Sequence, residues 1–232
     1  MNTPTRTARP IRVALLGAES TGKTSLAASL AEALTERSFK VQLINEVLRE
    51  WCEREQRTPR RDEQATIAHE QARQALAPVD ADFVIADTTP LMTAVYSQLL
   101  FGDESLHPFA AEHQHHYDLT LLTGLDLPWV ADGHQRDGPH VREPVDRLVR
   151  DALQAEGLRW QVIYGSGARR CENALKAISS IATTHDLTLA EAIKDSKHDA
   201  KDRWGSFCET CGDADCEHRL FSALVSGKQR PP

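Results

Sequence analysis

The chain has 232 residues, 41% of them hydrophobic and 26% charged, a balance that excludes collagen-like, coiled-coil and wholly disordered classes and predicts one domain with a small appendage. With 27 Lys+Arg against 34 Asp+Glu the formal charge is −7, which argues against nonspecific binding to a nucleic-acid backbone. The longest apolar runs, such as residues 13–16 and 119–122, fall far short of the ~20 residues of a membrane span, so no membrane partner is expected.

In chain order, residues 1–10 (MNTPTRTARP) read as a flexible arm. A strand-like run begins at Ile11 where a secretory signal would need its apolar core, so a cytoplasmic protein is expected. Apolar, β-branched runs recur as VALLG from Val13, VQLIN from Val41, FVIAD from Phe83, LTLLTG from Leu119 and WQVIYG from Trp160. Between and after them, helical spacing is read over residues 23–37, 63–77 (apolar at Ala65, Ala68, Ala72 and Leu76), 91–100, 144–155 and 169–184. This alternation predicts an α/β three-layer sandwich with a central parallel sheet of about five strands over residues 11–185. Residues 56–62 and 102–107 read as loops and 128–144 as a connection, and beyond about residue 186 the rhythm stops.

Directly after the first strand comes GAESTGKT, Gly17 to Thr24, which fits G-x-x-x-x-G-K-[ST] and opens a helix. Such glycines let backbone N–H groups turn inward as an anion nest at a helix N-terminus. The expected nucleotide ligands are Gly17, Glu19, Ser20, Thr21, Gly22, Lys23, Thr24 and Ser25. Lys23 reaches the β- and γ-phosphates, and Thr24 holds Mg²⁺. No Asn-Lys-x-Asp guanine-reading pattern follows the fourth strand, so ATP is the expected nucleotide.

Asp87 ends the third strand, where a carboxylate would hold Mg²⁺ beside the phosphate loop. Its structural alternative is to cap the helix near Pro90, a role that Thr88 fills better. Glu46 ends the second strand with Arg49 one helical turn on. Either the carboxylate accepts a proton from a substrate hydroxyl while the arginine orients the substrate, or the two form a solvated ion pair. Arg136 and Arg142, in the stretch after the fourth strand, could close over a triphosphate. Arg169 or Arg170, after the fifth, could lie near the adenine, and Trp51 or Tyr96 could stack on a substrate base, although helix aromatics usually belong to the core. The run EHQHH, with His113, His115 and His116, reads as a solvated helix end. Cys208, Cys211, Cys216 and His218 form a C-x₂-C-x₄-C-x-H set that suits structural zinc in a short appendage, residues 186–232.

GAESTGKTSL, the Glu46/Arg49 pair, IAHEQ from Ile67, DTTPLMTAVYS from Asp87, PWVADGHQRDG from Pro128 and YGSGARR from Tyr164 occur in the order of one known family. The stretch 12–184 resembles the nicotinamide-riboside-kinase-like domain of the bifunctional NAD-biosynthesis regulator, a P-loop kinase/ATPase family. The resemblance implies ATP- and Mg²⁺-dependent phosphorylation of a ribonucleoside 5′-hydroxyl, with Glu46 and Asp87 near the acceptor and Arg136 and Arg142 in a lid. This chain has Asn45 where that family typically carries an aromatic residue against the nicotinamide ring. It also has no counterpart of the adenylyltransferase and DNA-binding regions, so only the kinase step is expected. Two other readings share the phosphate loop: a nucleoside-monophosphate kinase, and an ATP-driven switch acting on a protein partner. A protein partner or self-association is compatible with all three.

Overall fold

The computed structural model describes residues 9–130, 139–185 and 193. Five strands, β1 (Ile11–Leu16), β2 (Val41–Ile44), β3 (Phe83–Asp87), β4 (Leu119–Thr123) and β5 (Trp160–Ile163), form one wholly parallel sheet in the order β2-β3-β1-β4-β5. Parallel neighbours require crossovers, which α1 (Lys23–Glu36), α2 (Val47–Glu55), α3 (Gln64–Leu76), α4 (Pro90–Phe101), α5 (His107–Gln114) and α6 (Arg142–Ala155) supply, and α7 (Gly167–His185) follows β5. Among the described residues no helix is long and apolar enough to cross a membrane.

The pleat sorts the strand residues between two helical layers. Ile11, Val13, Leu15, Phe83, Ile85, Leu119 and Leu121 point to one face, where Leu26, Leu30 and Leu34 of α1 and Ala174, Ile178 and Ile181 of α7 cover them. Leu16 and Leu122 face the other side and meet Leu91 and Val95 of α4, Ala110 of α5 and Val145, Val149 and Leu153 of α6. A smaller cluster sets Ala14, Val84 and Ala86 against Ala75 of α3. Each fully buried Leu, Ile or Phe contributes about 1.5–3 kcal/mol of burial free energy, so both faces of the sheet are held.

The expected strands are all present, and the helices depart from expectation in informative places. Two short ones, α2 and α5, carry too few apolar repeats to be read from spacing. The buried face of α3 is Gln64, Ile67, Ala68, Gln71, Ala72 and Ala75, rotated from the expected stripe, with Ala65 and Leu76 exposed. Helix α6 starts at Arg142 and α7 at Gly167. The cap of α4 is Thr89, not Thr88: the Thr89 hydroxyl accepts from Leu91 N at 3.3 Å, while Thr88 turns left-handed (φ 69°) and its N–H donates to Leu15 O at 3.0 Å. Asp87 is left out of the capping in either case.

His113 is also corrected. His115 and His116 are exposed at the end of α5, but His113 is buried between Phe109 and Tyr117, with only a long 3.4 Å contact from Nε2 to Ala72 O. Burial lowers its pKa from 6.5 to about 4. A histidine kept neutral when folded but protonated when unfolded removes stability as pH falls through the window between those values. Unfolding free energy measured by denaturant titration should therefore drop by about 2 kcal/mol from pH 7 to pH 5. His113→Phe should flatten that slope, and an unchanged slope would contradict the assignment.

Candidate functional site

The site lies along the carboxyl ends of β2, β3 and β1, which are neighbours in the sheet. At the end of β1, Gly17 has φ +147° and sits against β4: a Cβ there would lie 2.1 Å from Thr123 Oγ1, so no side chain fits. The loop that follows is held from beneath. The Thr21 hydroxyl, fully buried, lies 2.7 Å from Ala18 O and 2.6 Å from the Thr123 hydroxyl, which in turn reaches Leu16 O at 3.1 Å. Ser20, left-handed at φ 55°, is fixed from the side: its Oγ donates to Val130 O at 3.1 Å and accepts from Val130 N at 2.8 Å. Gly22 (φ 74°) turns the chain into α1, which has no side-chain cap. The first amides of α1, those of Lys23, Thr24 and Ser25, therefore carry the positive end of the helix dipole without a capping side chain, the arrangement that receives phosphate. The Lys23 ammonium donates to Ala18 O at 2.9 Å, folded back over the loop.

Asp87 ends β3 next to this loop. It is 2% exposed, in hydrogen-bonding reach of Thr24, and its Oδ1 is buried with no hydrogen-bond partner. Burial first, and then the charge of Glu46, push its pKa above the ordinary carboxylate value, while the Thr24 hydrogen bond, Lys23 and Arg49 pull it down. Glu46 stands on the other side, at the end of β2 and the start of α2, with Arg49 Nε 3.5 Å from its Oε2. The Glu46–Arg49 ion pair is therefore present, and both of its charges act on Asp87.

One residue outside the expected apolar stripe of α3 completes this corner. Gln71 of α3, 2% exposed, accepts from Val47 N at 2.8 Å through Oε1 and donates to Asn45 O at 3.1 Å through Nε2. It holds the backbone on both sides of Glu46. In the sequence it stands off the apolar stripe read for α3, as the last residue of IAHEQ.

The other expected residues fall elsewhere. Arg142, expected in a loop, is the first residue of α6 and is buried, because the helix starts two residues earlier than its apolar pattern suggests. Tyr96 packs half-buried with the α4–α6 core cluster, and Trp51 has one ring face under the Arg57 guanidinium, 4.7 Å from its ring centroid. Arg169 is exposed, whereas Arg170 is buried at the ends of β4 and β5, its Nη2 donating to Gly124 O, Ile163 O and the Asp126 carboxylate, each at 3.2 Å. Arg136 and the set Cys208, Cys211, Cys216 and His218 lie outside the described residues; among the described residues no cluster of His, Cys, Asp and Glu suits a metal by itself.

A parallel sheet of order 2-3-1-4-5, with a glycine loop joining the central strand to an uncapped helix, defines a P-loop nucleotide-binding protein, and such a domain implies ATP binding. The chain belongs to the AAA domain family, which matches residues 12–170. Its fold is similar to that of NadR protein solved in complex with NR (TM-score 0.61, 22% identity, 75% of this chain and 50% of that one) and in complex with NAD and AMP-PNP (0.57, 21%, 74% and 49%). It is also similar to deoxyadenosine kinase from M. mycoides solved with dCMP and dCDP (0.50, 11%, 73% and 100%). The chain spans about half the length of the NadR chains it matches. No curated protein matches it.

Proposed function

We propose that this protein is an ATP- and Mg²⁺-dependent small-molecule kinase that transfers the γ-phosphoryl group of ATP to a nucleoside-type hydroxyl. The observation that carries this reading is the row of groups on three adjacent strand ends: Glu46 with Arg49 after β2, Asp87 at the end of β3, and Lys23 with Thr24 after β1. A phosphate loop alone suffices to bind nucleotide. A second carboxylate with its own arginine, one strand further out, gives a place for an acceptor.

Thr24 and Asp87 fit Mg²⁺: a hydroxyl and a carboxylate are hard oxygen donors, and the orphaned Asp87 Oδ1 is a buried acceptor awaiting a cation. When bound there, Mg²⁺ would neutralise charge on the β- and γ-phosphate oxygens. Lys23 and the α1 amides would hold the same phosphates, and Arg136 is proposed to add positive charge as the reaction proceeds. Glu46 would accept the proton of the acceptor hydroxyl as its oxygen bonds to the γ-phosphorus. The bond from that phosphorus to the bridging oxygen breaks, releasing ADP. The ligands of the fold neighbours, NR for NadR and dCMP with dCDP for deoxyadenosine kinase, support a nucleoside or nucleotide acceptor.

In the full chain, Glu46→Gln should lower acceptor phosphorylation on the order of 10²–10⁴-fold with ATP affinity unchanged; an undiminished rate would remove Glu46 from the proton-transfer role. The AAA family membership favours one second reading, an ATPase switch, for which Glu46→Gln would leave acceptor-free hydrolysis as the only measurable activity. The Cys208, Cys211, Cys216 and His218 set is retained as a proposed structural zinc site over residues 186–232, and elemental analysis of chelator-free protein tests it.

A further inference from the structure

We propose that Gln71 is a positioning residue for phosphoryl transfer, acting through Glu46; the inference rests on the reading of Glu46 as the base. A carboxylate on the second residue after a strand, at the N-cap of a nine-residue helix, has no inherent fixed direction. The backbone there must be held by something outside β2 and α2. Gln71 does this with both ends of one amide: Oε1 takes the Val47 N–H at 2.8 Å and Nε2 reaches the Asn45 carbonyl at 3.1 Å. The two bonds bracket Glu46 in the chain, and only a group that both accepts and donates at that spacing can make them.

The Val47 half of the hold is dry and the Asn45 half is part-buried. Gln71 is 2% exposed and Val47 7%, so water cannot replace the amide oxygen at Val47 N. Val47 N is also one of the first amides of α2, which has no side-chain cap of its own, so Gln71 serves as a cap supplied by a different helix. Glu46 therefore takes its place from α3, through the packing of Ile67, Ala68 and Ala72 that seats Gln71. This arrangement also gives a reason for Gln71 on the buried face of α3, which the apolar pattern leaves unexplained.

The test uses the full chain and two variants. Gln71→Met keeps the volume and removes both hydrogen bonds; Gln71→Glu keeps the acceptor for Val47 N–H and loses the donor to Asn45 O. Gln71→Met should lower kcat for acceptor phosphorylation on the order of 10- to 100-fold, with the Kd for ATP within about twofold of wild type because the phosphate loop stands on other elements. Gln71→Glu should fall in between. Hydrogen exchange at the Val47 amide should accelerate in Gln71→Met and stay slow in Gln71→Glu. Combined with Glu46→Gln, Gln71→Met should add less than about twofold to the loss, since a residue that works through Glu46 has nothing left to position. Multiplying losses, a parallel loss of ATP affinity or unchanged Val47 exchange would each overturn the proposal. Should Gln71→Met fail to fold, Gln71→Glu is combined with Glu46→Gln in its place, and multiplying losses would overturn the proposal in the same way. Failure of the kinase reading is seen separately, as wild-type protein that phosphorylates no acceptor while the Val47 exchange still responds to Gln71→Met.

Discussion

Lys23→Ala should abolish ATP turnover while leaving the fold intact. The two halves of that expectation come from different contacts. Without nucleotide, the Lys23 ammonium donates to Ala18 O, but that carbonyl also lies 2.7 Å from the Thr21 hydroxyl, so truncation orphans no buried acceptor and exposes no core. On the proposed reading, the same ammonium, the side-chain cation of residues 17–24, would act with ATP bound where the β–γ bond breaks. Losing one such preorganised donor costs on the order of 10²–10³-fold, about 2.7–4 kcal/mol of transition-state stabilisation. ADP release by a coupled assay reads the first half and the thermal midpoint the second. Retained turnover would mean that phosphate binds elsewhere; a collapse of the midpoint would mean that Lys23 is a structural residue.

Asp87→Asn is expected to move activity and stability in opposite directions. Its carboxyl is held above 3.8 by burial and by Glu46, so the folded state takes up a proton more readily than the unfolded chain. The sign follows directly: stability is present at low pH and is lost as pH rises from 3.8 through the folded value, so at neutral pH the buried carboxyl opposes folding. Asparagine, nearly isosteric and uncharged, removes that opposition. The metal-free variant should melt at a higher temperature than wild type, and it should lose Mg²⁺-dependent turnover on the order of 10²-fold or more. Mg²⁺ with ATP should raise the wild-type midpoint and barely move that of the variant. A variant that is both less stable and fully active would contradict the placement of Mg²⁺ at Thr24 and Asp87. Sites that cost stability in the empty protein and return it on binding are common where function needs a buried charge.

How much of this was legible in advance depended on whether the cause was local. The strands were readable from Val13, Val41, Phe83, Leu119 and Trp160 because a buried parallel strand is a run of apolar β-branched residues and needs no partner to be recognised. The phosphate loop was readable for a similar reason: Gly17 and Gly22 stand where the backbone goes left-handed or meets Thr123. Residues whose environment comes from distant segments were not readable. Gln71 looks like a surface residue until α2 is placed against it, and His113 looks like part of a polar helix end until Ala72 and Tyr117 close around it. Arg170 illustrates the same limit, since its three acceptors come from the ends of two strands and a loop. The order β2-β3-β1, which brings Glu46, Asp87 and Lys23 into a row, is a property of topology that no local pattern contains.

The row is the central claim, and product analysis tests it most directly. Purified full chain is incubated with ATP, Mg²⁺ and a panel of nucleosides and nucleoside monophosphates, and products are read by mass spectrometry. One acceptor should gain a single phosphoryl group in step with ADP formation, and the gain should vanish in Lys23→Ala and Asp87→Asn. ADP accumulating at the same rate with and without every acceptor, and no phosphorylated product, would contradict the kinase reading and leave an ATPase in its place.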